Sequence, residues 1–466
     1  MTATAPELAE VLARLDAGLD ASLERLFELL RIPSISTDPA YRADCRSAAE
    51  WLVADLRTIG FDAGLRETPG HPMVVAHWRR APEGAPHVLF YGHYDVQPVD
   101  PLALWTRPPF EPAIETRPDG GRQITGRGAA DDKGQLMTFV EAARAYVAET
   151  GGLPVNVTIL FEGEEESGSP SLVPFLEANR TELSHDVALV CDTGMWDAAT
   201  PAITTSLRGL VGEEVVISCA DRDLHSGLYG GPSLNPIRVL TAILGDLHDA
   251  DGRVVLPGFY DGIPETPDEI KAMWRGLGFE ESVFLGGVGL SEPAGERGRS
   301  VLEQLWARPT AEINGITGGY AGEGFKTVLP ASASAKVSFR LVGGQDPDRV
   351  RAAFRAFVEE RLPKDARASF HPHGGSPGLT LSRDNQALAK ALGALTDEWG
   401  RPAAMIGGGG SIPVVGHFKD ILGMDSLMIG FGLDDDRIHS PNEKYELSSF
   451  AGGQRSWARI LAALAG

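Results

Sequence analysis

The stretch HVLFYGHYD at residues 87–95 begins with an almost unbroken apolar run and ends with a histidine and an aspartate. Three more runs share this pattern, namely VNVTILF at 155–161, DVALVC at 186–191 and SLMIGF at 426–431. Short continuous apolar runs are typical of strands that are buried on both faces, as in the parallel sheet of an α/β fold. The ligands of open α/β sheets gather beyond the carboxyl ends of such strands. The four runs therefore predict an α/β domain with a site at one edge of its sheet.

The 466 residues are enough for two domains. Leucines recur at three- and four-residue steps from Leu8 to Leu30, which predicts one amphipathic helix. The excursion between the third and fourth runs has strand-like stretches at 213–220 and 334–342 and helical stretches near 236–247 and 349–362. We therefore predict a catalytic α/β domain at residues 1–206 and 378–466, with a mainly parallel sheet flanked by helices. An inserted α+β domain at residues 207–377 interrupts it.

The composition indicates which partners the chain avoids. There are 42 Lys and Arg against 64 Asp and Glu, a formal charge of -22, which repels nucleic acid and an anionic membrane surface. Cys45, Cys191 and Cys219 lie far apart and form no Cys-x-x-Cys pair, so neither a disulfide framework nor a thiolate zinc site is expected. The start of the sequence lacks the pattern of a signal peptide, and no apolar run is long enough to span a bilayer. We therefore expect a soluble protein of the cytoplasm.

Potential metal ligands follow the predicted strands. His93 and Asp95 are spaced i, i+2, so on an extended segment the carboxylate can hold the imidazole while the imidazole holds a metal. The remaining candidates are Glu162 and Glu164 to Glu166 after the second run, Asp192 after the third, His439 beyond the fourth, and the pair Asp131 and Asp132 before a helical stretch.

Each of these residues also has a purely structural explanation. A loop histidine such as His439 is usually incidental, and the acidic cluster from Glu164 to Glu166 would ordinarily be a solvated turn. Asp131 and Asp132 could charge a helix N-terminus, and Asp192 could be an N-cap. Their joint occurrence, after four strands and before one helix, favours a site.

The chemistry of these side chains suits a pair of metal ions. Two histidines and three carboxylates can hold two divalent ions if one carboxylate bridges, and a bridging hydroxide then forms near neutral pH. Two adjacent glutamates serve such a site, because one can ligate while the other acts as a general base. Imidazole and carboxylate ligands without a thiolate suit zinc first, with manganese or cobalt as alternatives.

These motifs, in this order, resemble the dizinc peptidase family that includes carnosine dipeptidases, peptidase V, aminoacylases and succinyl-diaminopimelate desuccinylase. The likeness covers nearly the whole chain and implies a zinc-exopeptidase-like fold. Its motifs are RIPSIST (31–37), YGHYDVQP (91–98), GRGAADDKG (126–134), FEGEEESGS (161–169), DLHSGLYGG (223–231), TVLPASASAKVSFRLV (327–342), GGGGSIP (407–413) and HSPNEK (439–444).

The resemblance implies a role for each candidate ligand. Asp131 would bridge the two metals, His93 and Asp192 would complete one ion, and Glu166 and His439 would complete the other. Glu165 would be the general base, and Asp95 would orient His93.

The resemblance also implies that the inserted domain is a lid through which the chain forms a homodimer. His225 would stabilise the oxyanion in the neighbouring subunit's site, although a loop histidine before a turn-forming Ser-Gly has a plain structural explanation. Arg340 would grip the substrate's C-terminal carboxylate, a task that suits a planar guanidinium. His373, Thr327 and Ser411 resemble further substrate contacts, with His371 as a rival to His373.

Two features favour a dipeptidase within this family. Asp192 stands where deacylases tend to carry glutamate, and the stretch at 251–270 resembles the carnosine dipeptidase branch. The runner-up is an N-acyl amino acid deacylase related to the aminoacylases. A serine hydrolase built on Ser411 lacks the Gly-x-Ser-x-Gly elbow, and a non-catalytic binding module would not need the complete set of ligands and base.

Overall fold

In a computed structural model of the chain, the described residues are 5–410 and 412–466. Their contacts divide the chain into two compact units. The first contains the residues up to Thr204 together with Leu381–Met405 and Val414–Gly466, and the second contains Thr205–Thr380 and Ile406–Pro413. No helix within these described ranges is long and apolar enough to cross a membrane.

The first unit is built on a sheet with a parallel centre. Four neighbouring strands, Asn156–Glu162, His87–His93, Val187–Val190 and Ser426–Met428, run parallel to one another. These are the four apolar runs of the sequence, and the predicted α/β fold is confirmed. Antiparallel strands flank them: Asp62–Arg66, Met73–Trp78 and Ala202–Leu207. A small antiparallel sheet contains Ala113–Thr116, Arg122–Thr125 and Lys444–Glu446.

Helices cover this sheet and form the core with it. The helix Lys133–Thr150 is buried along most of its length, and Phe139 stacks on Phe90 of the central strand with ring centroids 3.7 Å apart. Trp457, from the helix Leu447–Ala465, meets both rings edge-on. The other helices are Ala5–Ala17, Leu19–Leu30, Arg42–Ile59, Leu172–Ala178, Arg180–Leu183, Gln386–Trp399 and Pro413–His417.

The single N-terminal helix predicted from the leucine spacing is two helices, Ala5–Ala17 and Leu19–Leu30. Gly18 separates them, with φ -94° and ψ 3°, and it begins the second helix as its N-cap. Glycine has a low helix propensity, so the spacing of the leucines continues across a break in the backbone. Both halves still bury their apolar faces.

The second unit contains a four-stranded antiparallel sheet in the order Thr310–Gly318, Ser332–Leu341, Gly209–Ser218 and Arg367–Ser376. Alternate residues of the two central strands, such as Val215 and Phe339, are buried in a separate core. The helices are Ser226–Tyr229, Pro236–Gly245, Asp268–Arg275, Glu281–Gly286, Val301–Trp306 and Pro347–Glu360, and the short strands are Leu224–His225, Val328–Leu329 and Leu379–Thr380.

The boundaries of the units differ slightly from the predicted domain limits. The segment Ile406–Pro413 groups with the second unit, whereas the sequence placed all of 378–466 in the catalytic domain. The strand Ala404–Gly408 pairs with Ala202–Leu207, and the Thr205 hydroxyl donates to the Ile406 carbonyl. The second unit begins at Thr205, within the first of these strands. The part of the other strand from Ile406 onward pairs with it and therefore groups with the second unit as well.

Candidate metal centre

The carboxyl ends of the parallel strands bring the candidate ligands together. His93 and Glu162 are the last residues of neighbouring strands and lie opposite each other in the register. Asp192 comes two residues after the end of the strand Val187–Val190. Asp131 directly precedes Asp132, the N-cap of the helix Lys133–Thr150, and His439 has φ 59° in the loop beyond the strand Ser426–Met428. Residues far apart in the chain therefore meet at one edge of the sheet.

Two groups of side chains could each hold a metal ion, and they share one residue. The first consists of His93, Asp131 and Asp192 and the second of Asp131, Glu166 and His439, with ligand atoms within 4.8 Å of one another. Asp131 Oδ1 lies 3.1 Å from His93 Nε2, and its Oδ2 lies 3.0 Å from His439 Nε2. One carboxylate thus faces both imidazoles, one oxygen to each. That is the arrangement expected of a bridging ligand.

The pKa values of these groups reflect crowded negative charge. Hydrogen bonds from the imidazole to the carboxylates of Asp131 and Glu166 raise the pKa of His439 to about 10. Burial lowers the pKa of His93, but Asp131 and Asp95 more than offset this effect and hold it well above its usual range. Burial, aided by the charge of Asp131, raises the pKa of Asp192. The site therefore favours added positive charge, which a pair of divalent ions would supply in place of the protons.

Buried polar atoms support the fit to metal ions. His93 Nε2 and Glu166 Oε1 are inaccessible to solvent and make no hydrogen bond of good geometry with any described residue. Such atoms cost free energy unless they find a partner. An ion in each group would be that partner, and these imidazole and carboxylate donors match the ligands that zinc binds without thiolates.

Asp95 contacts a member of each group. His93 Nδ1 lies 3.1 Å from the Asp95 backbone carbonyl and 3.4 Å from its carboxylate. The other carboxylate oxygen of Asp95 accepts the backbone N–H of Glu166 at 3.1 Å. Asp95 is fully buried, so it fixes the orientation of His93 and the start of the turn that carries Glu166.

Three consecutive glutamates at 164–166 have different surroundings. The Glu164 carboxylate accepts the backbone N–H groups of His71 and Ser171 and holds the loop in place. Glu166 Oε2 accepts a hydrogen bond from Gln97 Nε2 at 2.6 Å. For the Glu165 carboxylate, the described residues provide no hydrogen-bond donor, and burial raises its pKa. Glu165 therefore has the properties of a group that takes up a proton.

Sequence reasoning did not single out Glu443, Arg127 or Gln97. Glu443 is fully buried and accepts three backbone N–H groups, those of Gly128, Ala130 and Asp131. Burial raises its pKa to about 7, against the opposing charge of Arg127. All three residues lie inside motifs quoted above, but nothing local distinguishes a structural carboxylate from a ligand.

The residues assigned to substrate belong to the second unit. His225 is exposed, and its Nδ1 accepts the Gly227 N–H at 3.0 Å. Arg340 lies in the strand Ser332–Leu341 opposite Leu210, and the backbone carbonyl of Thr327 accepts the Ser226 N–H. Their roles stay predictions.

The structure does not choose between the rival histidines of this unit. His371 and His373 are two residues apart on the strand Arg367–Ser376 and both are exposed. His373 Nε2 lies 3.9 Å from a carboxylate oxygen of Glu214. Ser411 lies outside the described residues.

Comparison with known proteins gives a family match. The sequence model described as peptidase family M20/M25/M40 matches residues 89–463. The Cys-Gly metallodipeptidase DUG1 of Saccharomyces cerevisiae is 28% identical over 97% of this chain and 97% of the yeast protein. The Beta-Ala-His dipeptidase of Rattus norvegicus is 31% identical over 95% of this chain and 93% of the rat protein.

A solved structure agrees with these matches. The M20 family metallo-carboxypeptidase Sso-CP2 of Sulfolobus solfataricus superimposes with a TM-score of 0.78 at 30% identity, covering 95% of this chain and 99% of the other. The resemblance to the carnosine dipeptidase branch, drawn from the motifs, is therefore confirmed.

Proposed function

Because this chain belongs to peptidase family M20/M25/M40, we propose that it hydrolyses the amide bond of dipeptides or other short peptides with two divalent metal ions. The observation that carries this proposal is the pair of potential metal-binding groups that share Asp131. Beside them lies the Glu165 carboxylate, whose pKa is raised by burial.

The ligand set would be His93, Asp131 and Asp192 for one ion and Asp131, Glu166 and His439 for the other. When bound, the two ions would polarise the scissile carbonyl and lower the pKa of the attacking water. Asp95 would hold His93 by its Nδ1 side and keep Nε2 directed to the site. We propose zinc as the metal, with manganese or cobalt as alternatives.

Glu165 would move the proton in this reaction. Its carboxylate takes a proton from the water that attacks the amide carbon. It then delivers that proton to the leaving nitrogen as the carbon–nitrogen bond breaks. Burial supports this role, because a raised pKa brings a carboxylate closer to the range in which it both accepts and donates a proton.

The second unit would supply substrate contacts. His225 would stabilise the oxyanion of a neighbouring subunit's site, and Arg340 would bind the substrate's C-terminal carboxylate. His373, Thr327 and Ser411 would add further contacts. The support is the family resemblance and the planar guanidinium of Arg340, which is half-buried on its strand.

We also propose a homodimer formed through the second unit, and a cytoplasmic location. The support for the dimer is exposed apolar surface on this unit, where Phe325 is 91% and Leu228 is 75% exposed. Light scattering after gel filtration measures the mass directly. A monomer at micromolar concentration would contradict the dimer without affecting the hydrolysis.

A substrate panel tests the hydrolysis and its runner-up. Metal-stripped protein is assayed with dipeptides, the same dipeptides amidated at the C-terminus, and N-acetyl amino acids, before and after addition of zinc or manganese. Dipeptide cleavage that returns with about two ions per chain supports the proposal. The relatives named as dipeptidases favour this outcome over the N-acyl amino acid deacylase.

Other outcomes have distinct meanings. Cleavage of N-acetyl amino acids alone would establish the deacylase, and weak cleavage of amidated dipeptides would support the role of Arg340. Activity that persists after complete metal removal would contradict the mechanism.

A further inference from the structure

We infer that Glu443 is a positioning residue, which keeps Asp131, Glu166 and His439 at the separations that one metal ion requires. The inference rests on the proposed function for the identity of the ligands. It adds that one of the two ion sites depends on a buried carboxylate that touches no metal.

The Glu443 carboxylate binds the loop that leads to the bridging residue. Its Oε1 accepts the backbone N–H groups of Ala130 and Asp131 at 2.9 and 3.1 Å. Its Oε2 accepts the Gly128 N–H at 3.0 Å and Arg127 Nη1 at 2.8 Å. With both oxygens used, the position of the Asp131 backbone is fixed relative to residue 443.

The same residue lies four positions after His439. At the start of that short loop, the Ser440 N–H donates to the Arg437 carbonyl, and at its end Lys444 pairs with Thr125 in the small antiparallel sheet. The side chain of Asn442 also binds the Thr106 backbone N–H at 2.7 Å. Because the loop is held at these points, His439 Nε2 lies next to Asp131 Oδ2, whereas His93 faces Oδ1.

Arg127 extends the contact to the third ligand of this group. Its Nη2 donates to the backbone carbonyl of Pro98 at 2.9 Å. Pro98 follows Gln97, whose side chain holds Glu166 Oε2. All three ligands of the second group therefore connect to Glu443: Asp131 directly, His439 along the loop, and Glu166 through Arg127 and the segment Gln97–Pro98.

Within the described residues, no hydrogen bond or ion pair joins His93 or Asp192 to Glu443 or Arg127. His93 is held by Asp95 and by the hydrogen bond that its own backbone N–H donates to the Asp132 carboxylate. The first group shares only Asp131 with these contacts, whereas all three ligands of the second group depend on them. Loss of the Glu443 carboxylate should therefore weaken the second ion site more than the first. General loss of stability would weaken both sites alike.

The experiment measures the two metal dissociation constants of the full chain. Metal-stripped protein is titrated with Co²⁺ in competition with a chromophoric chelator, and the visible absorption of the bound cobalt is recorded. Asp192→Asn and Glu166→Gln identify which constant belongs to which group. In Glu443→Gln an amide NH₂ group faces the N–H donors of Arg127 or of the loop and cannot accept from them. We therefore expect the second group to bind its metal ion about 10- to 100-fold more weakly.

Glu398→Gln is the matched control. Glu398 is a nearly buried carboxylate of the same unit that binds Arg455 and Arg459. Its loss should lower the melting temperature and leave both dissociation constants unchanged. Should Glu443→Gln fail to fold, Arg127→Met removes one contact of the same carboxylate and should weaken the same constant by a smaller factor.

Two outcomes would overturn the inference alone, namely unchanged constants in Glu443→Gln, or equal weakening of both sites in proportion to the loss of stability. With Arg127→Met in its place, an unchanged second constant has the same meaning. Wild-type protein that binds no metal would overturn the proposed function as well.

Discussion

Histidines gather at both ends of the same parallel strands, but in opposite surroundings. At the carboxyl ends, His93 and His439 face the Asp131 carboxylate. At the amino ends, His77, His87 and His185 each have a ring nitrogen 2.8–3.0 Å from the hydroxyl of Thr158. The strand His87–His93 alone spans about 20 Å between the two clusters.

The pKa values separate the two clusters. Carboxylates raise the pKa of His439 to about 10, whereas burial and the charge of Arg79 lower the pKa of His87 to about 4. Burial lowers the pKa of His185 to about 3. A cluster rich in carboxylates attracts cations, and a cluster of imidazoles around a hydroxyl stays neutral.

A second difference concerns what the amino-end cluster could bind. A hydroxyl donates one hydrogen bond and accepts two, so Thr158 can serve as the partner of one ring nitrogen of each imidazole. Arg79 also donates towards His77 Nδ1 at 3.2 Å, and its positive charge opposes a metal ion there. Convergent histidines therefore do not by themselves make a metal site.

The substitution with the largest expected effect, Asp131→Asn, disrupts the carboxyl-end cluster. Asp131→Asn removes the charge shared by both groups, so the metal content should fall well below about two ions per chain. We expect kcat/KM to drop by more than about 10⁴-fold. Metal analysis after gel filtration and a dipeptide assay measure both. As a control, His87→Gln should keep its metal, and a normal metal content in Asp131→Asn would refute the shared-ligand arrangement.

Glu165→Gln separates chemistry from metal binding in the same cluster. The amide cannot accept the proton of the attacking water, so kcat should fall by about 10²- to 10⁴-fold while both ions stay bound. Glu166→Gln is the matched variant and should lose metal affinity. The reverse pattern, with metal lost from Glu165→Gln and retained by Glu166→Gln, would exchange the two roles.

Thr158→Val breaks the amino-end cluster at its centre. One buried and two partly buried imidazoles would lose their common partner, and the free energy of unfolding should fall by about 1–3 kcal/mol. Urea denaturation at pH 7.5 measures the change, and the metal content should stay normal. Stability equal to that of the wild type would mean that water replaces the hydroxyl.

The smallest expected effect concerns the pH dependence of stability, which tests whether the amino-end histidines stay neutral in the folded chain. His87 and His185 have lowered pKa values in the folded chain, so between about pH 6.5 and 4 the unfolded chain binds more protons. Their contribution to stability is therefore present above pH 6.5 and is lost as the pH falls through that window. The double variant His87→Gln and His185→Gln cannot take up these protons and keeps an N–H donor of similar reach. Its melting temperature should decline less between pH 6.5 and 4, and an equally steep decline would place the acid sensitivity elsewhere.

The parallel strands could be predicted because their information is local. Each is a short apolar run, and the potential ligand after it lies within a few residues of the strand or in the following loop. The structure brings the five proposed ligands together, and their roles stay predictions. Asp131 and Asp132 differ by one position, yet only the first belongs to the potential metal-binding groups, while the second accepts the His93 backbone N–H.

Contacts over long sequence separations could not be predicted. His77, His87 and His185 meet at Thr158 only after three strands have paired, and the sequence around each histidine is unremarkable. Glu443 binds the backbone of a loop more than 300 residues earlier in the chain, and no local sequence pattern indicates that contact. The break at Gly18 was missed because the spacing of the leucines reports the buried face and not the continuity of the backbone.

The order of the strands has a consequence during synthesis. Ser426–Met428 lies between Val187–Val190 and Ala202–Leu207 in the sheet, although the ribosome makes it long after both. Until it emerges, the facing edges of Val187–Val190 and Ala202–Leu207 lack the strand that lies between them in the finished sheet. Such edges invite pairing with other chains. Chaperone engagement of stalled nascent chains should therefore persist until residue 428 has left the exit tunnel.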